Sequence, residues 1–212
     1  MTRVSYGRTW WGAQWLQALT QIDHENRLPR GRSYANRGAV LDLDVQDGRV
    51  RARVQGSRPR PYDVDIQVPP TSAGDASRLV TSLAADSSLI ARLLNRELDP
   101  AVLQEAQRLS IPVFPARWSD LKMHCSCPDL AVPCKHLAAV IYLLSQEIDG
   151  DPFLVFSLRG LDLPRLLQQE GVHIGADAST GGLGAGRRCG VAGDVSAEMV
   201  RFFLPRPRAG SD

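Results

Sequence analysis

Three cysteines and one histidine fall within twelve residues, Cys125–His136, in the run CSCPDLAVPCKH. The spacing is C-x-C, six intervening residues, then C-x-H. Thiolates and imidazoles are the ligands that tetrahedral zinc prefers, and four at chelating distance complete a closed coordination set. Catalytic zinc keeps one position open for water and commonly takes three protein ligands. Four ligands here point to one structural Zn2+ held by Cys125, Cys127, Cys134 and His136. On an extended chain Cys125 and Cys127 project to the same side, whereas His124 projects away and is left out of the set. Pro133 suits the first position of a helix. That reading puts Cys134 and His136 in the opening turn, where the positive end of the helix favours a thiolate. The competing chemistry is a nucleophilic Cys134–His136 pair. Zinc would consume both groups, and Asp129 and Glu147 read as a turn residue and a solvated helix residue rather than as a general base. There is no phosphate-cradling loop and no pair of carboxylates suited to acid–base work, so the chain is expected to be no enzyme and to take no small-molecule substrate.

The elements that position this cluster are legible in part. Residues 9–22, TWWGAQWLQALTQI, place Trp11, Trp15, Leu19 and Ile22 at helical spacing behind Thr9 as N-cap. Trp10, Trp11 and Trp15 offer a base-stacking platform in principle, but at this spacing they read as a buried face. AVLDLDV at 39–45 and RVRARVQ at 49–55 alternate around Asp47-Gly48, the sequence of a two-residue type I′ hairpin turn. The expected register pairs Val45 with Val50, Leu43 with Ala52 and Leu41 with Val54 on the apolar face. Asp44 then faces Arg51, and Asp42 faces Arg53, on the other. YDVDIQV at 62–68 adds a third strand with Asp63 and Asp65 on its polar side. Residues 75–109 read as two or three short helices, with Leu79, Val80, Leu83, Leu89, Leu93, Leu94, Val102, Leu103 and Leu109 apolar. The segment 111–115 reads as extended, 137–148 as an apolar helix, FLVFSL at 153–158 as a closing strand, and 161–170 as one more helix. From Gly171 the composition turns glycine-rich and aperiodic, which reads as a flexible tail with a short docking motif, MVRFFLPRPR, at 199–208. Cys189 in that tail reads as a free thiol, and His24 and His173 as surface residues.

Charge narrows the partners without choosing one. Lysine plus arginine number 25 against 23 acidic residues, a formal net charge of +2, short of a dedicated nucleic-acid binder. Arg49, Arg51 and Arg53 are expected to be neutralised by the aspartates across the sheet. The least neutralised stretches are RLPRGRSYANRG at 27–38, read as loop from Gly31 and Gly38, and QGSRPRPY at 55–62, where prolines keep the backbone extended. Candidate phosphate contacts are therefore Arg30, Arg32, Arg37, Arg58 and Arg60, with Lys122 and Lys135 beside the metal cluster. The first residues contain no secretory h-region and no run approaches a membrane span, so the expected compartment is the cytoplasm, where clustered cysteines stay reduced.

CSCPDLAVPCKH followed by an apolar helix resembles the SWIM zinc finger, a compact ββα unit. TWWGAQW, GRSYANRGAVLDLDV, QGSRPRPYDV and DPFLVFSLRG are similar to segments of stand-alone bacterial SWIM-finger proteins, especially actinobacterial ones, over about residues 6–160. The resemblance implies an α+β fold: an N-terminal antiparallel sheet with helices over 1–115, the finger over 116–160, and a short helix and tail over 161–212. It implies the same four zinc ligands. It also implies two open functions, nucleic-acid binding (DNA ahead of RNA) within a complex, or a protein–protein adaptor for an SNF2-type helicase, beside which such proteins are often encoded.

Overall fold

The computed structural model describes residues 5–23, 27–46, 48–95 and 97–171. The expectations placed on His24, on Asp47 and on 172–212, with His173, Cys189 and the 199–208 motif, lie outside the described residues, as does the side chain of Leu94.

Thr9 accepts a hydrogen bond from the Gly12 N–H at 3.2 Å and caps α1, Trp10–Gln21. Trp11, Trp15 and Leu19 form its buried face and Ile22 follows at its end. The buried indoles find carbonyl partners: Trp11 Nε1 donates to Leu98 O at 2.7 Å and Trp15 Nε1 to Ile141 O at 3.3 Å. The tryptophan stripe is core, with only Trp10 well exposed.

Residues 27–38 correct the sequence reading, because they hold a helix, α2, Leu28–Asn36. Pro29 lies in its first turn, and the Asp23 carboxylate accepts from the N–H groups of Arg27 at 3.0 Å and Leu28 at 2.7 Å. Gly38, at φ +69°, follows the C-cap Arg37. The sheet follows: β1 (Val40–Gln46), β2 (Arg49–Val54) and β3 (Tyr62–Gln67) form an antiparallel meander. Its register matches expectation from Val45↔Val50 to Asp42↔Arg53. It then shifts, so that Val40 and not Leu41 faces Val54. Leu41 is the extra residue of a bulge and swings into solvent at 46% exposure. Across the sheet Arg51 faces Asp65, Arg53 faces Asp63, and ion pairs join Arg49 to Asp65 at 2.6 Å and Arg53 to Asp42 at 2.5 Å. Arg49 and Arg53 are neutralised by these pairs, and Arg51 stands between Asp44 and Asp65.

Helices α3 (Ala73–Ala84), α4 (Ser87–Leu94) and α5 (Pro100–Arg108) are each capped by a side-chain oxygen, from Ser72, Asp86 and Asp99. A 3₁₀ turn at Trp118–Asp120 leads into β4, Lys122–Cys125, which pairs antiparallel with β3. The strand that leads to the cysteines thus extends the N-terminal sheet, and β3 and β4 with the next helix, α6 (Lys135–Gly150), make the ββα arrangement. One apolar cluster runs across residue 115, from Tyr6 to Leu167. The chain is an α+β protein with a four-stranded antiparallel sheet. The run 153–158 is a second correction: it forms a single helical turn, α7 (Leu154–Ser157), with Phe153, Leu154, Val155, Phe156 and Leu158 buried. A short unbroken apolar run has no period to separate strand from buried helix. Helix α8, Leu163–Gln169, closes the described chain behind its Asp162 cap. Among the described residues no helix is long and apolar enough to cross a membrane.

Helix α6 is the centre of this packing. Leu137, Ala138, Ala139, Val140, Ile141, Leu144 and Ile148 are all buried, the large ones contributing about 1.5–3 kcal/mol each. Helix α2 lies against it so closely that a Cβ added at Gly31 would stand 2.3 Å from Ala138 Cβ and 2.5 Å from Ala138 C. Gly31 is therefore a contact residue inside a helix rather than a loop marker. Propensity alone favours Gly31→Ala by about 1 kcal/mol, but this overpacked contact is expected to reverse the sign, with a net loss of about 1–3 kcal/mol in urea unfolding. A variant as stable as the parent would show that the two helices do not approach so closely.

Candidate metal centre

Strand β4 delivers Cys125 at its last residue. Ser126 then clips the chain to β3: its N–H donates to Asp63 O at 2.9 Å and its hydroxyl accepts from the Asp63 N–H at 2.9 Å. Cys127 lies beyond the strand, in the turn that follows, so the shared side of Cys125 and Cys127 comes from this clip rather than from continued strand geometry. The Asp129 carboxylate accepts from the Ala131 N–H at 3.0 Å and tightens the connection, confirming its place as a turn residue. Cys134 is the N-cap of α6 and His136 its second residue. Pro133 therefore precedes the cap instead of opening the helix, and Cys134 and His136 stand two helix positions earlier than predicted. His124 is exposed on β4, and the other face of the strand carries Cys125.

The four donor atoms of Cys125, Cys127, Cys134 and His136 lie within 4.8 Å of one another. Nδ1 of His136 stands 3.8 Å from Cys125 Sγ and 3.9 Å from Cys134 Sγ. Donors on a zinc tetrahedron with bonds of about 2.0–2.3 Å are separated by about 3.5–3.8 Å, so the donor set fits the ion closely. The imidazole is oriented for it: Nδ1 faces the sulfurs, while Nε2 is buried with no hydrogen-bond partner among the described residues. In place of the usual carboxylate or carbonyl, two aromatic rings flank the histidine. Tyr62 tilts against it at 4.7 Å between centroids and Tyr34 meets it edge-on at 5.3 Å.

Thiol electrostatics point the same way. The Cys134 thiol is drawn down to about 4, first by the hydrogen bond from Cys125 and then, against burial, by His136 and the N–H groups of Leu137 and His136. Cys125 moves up, because it is the proton donor to that thiolate and is half-buried. Cys127 is raised by burial. Three thiols this close cannot all ionise by themselves; a dication permits it.

Residues 116–145 match the SWIM zinc finger. The SWIM finger is a binding module, and its Cys125, Cys127, Cys134 and His136 are arranged for one structural zinc ion. The chain is also similar to the uncharacterized protein Rv2102 of Mycobacterium tuberculosis, at 41% identity over 166 residues, 78% of this chain and 60% of that protein. The chain therefore spans less than two thirds of that relative's length. No solved structure matches it.

The basic residues singled out from the sequence separate into two groups around the SWIM site. Arg37 stacks its guanidinium 3.6 Å from the Tyr34 ring centre, and the Lys135 ammonium stands 5.2 Å from the same centre. Burial tends to raise the Tyr34 phenol, but hydrogen bonding and charge from Lys135 and Arg37 outweigh it and hold the phenol below its ordinary value. The loop that carries exposed Arg58 and Arg60 begins at Gly56, against His136, and ends at Tyr62. Arg30 and Arg32 are exposed further back along α2, and Lys122 is exposed at the opposite end of β4 from Cys125. Tyr34, Tyr62 and Gly56 were missed in the sequence. Tyr34 and Arg37 are three apart, the spacing of helix neighbours, and this signal became readable only once 28–36 was a helix.

At pH 7 Cys134 is already a thiolate and Cys125 and Cys127 are thiols. Zinc loading is thus expected to release about two protons, and apparent zinc affinity to fall about a hundredfold per pH unit on acidification from neutrality. Calorimetry in buffers of different ionisation enthalpy reads the proton count directly. Release of less than one proton would mean that the thiolates exist before the metal arrives.

Proposed function

We propose that this chain is a non-catalytic, zinc-dependent binding protein of the cytoplasm that contacts nucleic acid, DNA ahead of RNA, as part of a larger complex. The observation that carries the reading is the sorting of arginines. Arg49 and Arg53 on the sheet are ion-paired with Asp65 and Asp42, and Arg51 faces Asp44 and Asp65 in register. By contrast, Arg37 lies on the Tyr34 ring beside the zinc ligand His136, and Arg58 and Arg60 are exposed on the loop that begins at Gly56, next to that ligand. A zinc ion with three thiolates carries a net charge of about −1. Lys135, between two of the ligands and within the field of Cys127 and Asp129, offsets that charge and is a weaker phosphate ligand than the three arginines. A few exposed arginines on a near-neutral chain support modest, sequence-independent contact with phosphates, consistent with a partner supplying the remaining affinity.

A second reading, an adaptor for an SNF2-type helicase without direct nucleic-acid contact, is favoured by one feature. Leu130 is 98% exposed and Val132 54% exposed on the segment between Cys127 and Cys134. An apolar tip with both ends held at the metal site suits a protein pocket.

Fluorescence anisotropy with a labelled 20-base oligonucleotide, single- and double-stranded, separates the two. The zinc-loaded chain is expected to bind with a log–log salt slope that becomes shallower by about two in the Arg58→Ala/Arg60→Ala double variant. Absence of binding at 50 mM salt, together with loss of helicase capture in Leu130→Asp, would establish the adaptor in its place.

A further inference from the structure

Gly56 lies far upstream of Cys125 in the chain, and nothing in the zinc motif refers to it. A Cβ added there would stand 2.3 Å from Tyr62 Cε2, 2.9 Å from Tyr62 Cδ2 and 3.0 Å from Nε2 of His136. The chain entering the loop therefore lies against the Tyr62 ring and close to the unpartnered nitrogen of the zinc-binding histidine. The loop is braced at the same place, since the Gln55 side-chain amide donates to Gly56 O at 3.2 Å and to Arg58 O at 2.6 Å. The main chain of Gln55 is itself held to the sheet, its N–H donating to Ala39 O at 2.7 Å. Tyr34, edge-on to the same imidazole, carries Arg37 on its ring face. Tyr34, which carries Arg37, and the Gly56 end of the loop that carries Arg58 and Arg60 thus both border the same imidazole.

We propose that Arg37, Arg58 and Arg60 form a single phosphodiester-binding rim around His136, and that the metal-bound histidine holds this rim in place through Gly56, Tyr62 and Tyr34, so that zinc and a nucleic-acid backbone bind cooperatively. The ligand class rests on the function proposed above, while the dependence of the loop on His136 rests on geometry alone. When zinc is bound at Nδ1, the ring can no longer rotate away from Gly56, and the arginine loop keeps one conformation. Without it the ring turns, the Gly56 and Tyr62 contacts loosen, and the arginines must be ordered by the phosphate itself, which costs affinity. By reciprocity the oligonucleotide tightens zinc by the same factor that zinc tightens the oligonucleotide.

The test uses the full chain in three measurements. Hydrogen exchange with and without chelator should show amides of 55–61 losing protection on zinc removal while those of 49–54 keep theirs. Competition with a chromophoric chelator should show zinc held about tenfold more tightly when a saturating 20-base single strand is present. In Gly56→Ala the cobalt-substituted protein should keep the charge-transfer spectrum of the parent, while oligonucleotide affinity falls about fivefold and the mutual tightening disappears. Gln55→Ala, which removes the brace without adding a clash, should weaken the oligonucleotide in the same direction and serves if Gly56→Ala does not fold. Equal exchange in 55–61 with and without zinc, or loss across 49–54 as well, overturns the coupling. Oligonucleotide binding that is indifferent to zinc and to both variants overturns it too, while leaving the nucleic-acid reading intact. Zinc-dependent exchange with no oligonucleotide binding at all overturns the ligand class and leaves the loop dependence standing.

Discussion

Helix α6 carries two of the four metal ligands in its first turn and is buried along most of its remaining length. The place of Cys134 and His136 is therefore set by the packing of that helix, which cannot slide without uncovering Leu137, Ile141, Leu144 and Ile148 together. Gly31 allows α2 to lie against it at backbone distance. Trp15 reaches its Ile141 carbonyl, and the Asp149 carboxylate near its far end accepts from the N–H groups of Arg8 and Thr9 at 2.8 Å each. The other two ligands come from the end of β4 and the turn after it, where Ser126 is bonded on both sides to Asp63. The metal centre is the seam between a helix and a sheet that are each fixed by other contacts, and so it needs few residues of its own.

That arrangement also governs charge. The zinc–thiolate unit is electronegative, and the cation inserted between Cys134 and His136 answers it locally. The sheet arginines are answered by aspartates on neighbouring strands. Arginines outside these pairs stand at the end of α2, where Arg37 lies on Tyr34, and in the β2–β3 loop that begins next to His136. A net charge of +2 is compatible with a localised basic surface, because Arg49, Arg53, Arg78, Arg92, Arg108 and Arg117 are each ion-paired elsewhere.

The readings that failed did so for identifiable reasons. Residues 27–38 read as loop because glycine disfavours a helix locally, yet Gly31 is required by a helix-to-helix approach that no local pattern reports. Residues 153–158 looked like a strand because an apolar run without polar residues carries no period, and burial of α7 on every side erased the helical one. Leu41 was placed on the buried face because alternation was assumed to run to the strand end, and one bulged residue moved Val40 there in its stead. Each error concerns a place where tertiary contact overrode a local rule.

By itself the sequence determined the ligand chemistry, the hairpin register from Asp42 to Val45, the facing of sheet arginines by aspartates and the Thr9 cap of α1. These depend on residues within one turn or one hairpin of each other, where spacing and side-chain chemistry are sufficient. Only the tertiary structure decided that β4 joins the N-terminal sheet, that Tyr34, Tyr62 and Gly56 lie against His136, and that Arg37 stacks on Tyr34 beside it. Those facts join segments separated by as much as a hundred residues, and such pairings are fixed by the burial of whole helix and sheet faces, which leaves no signature in the spacing of the residues that end up in contact.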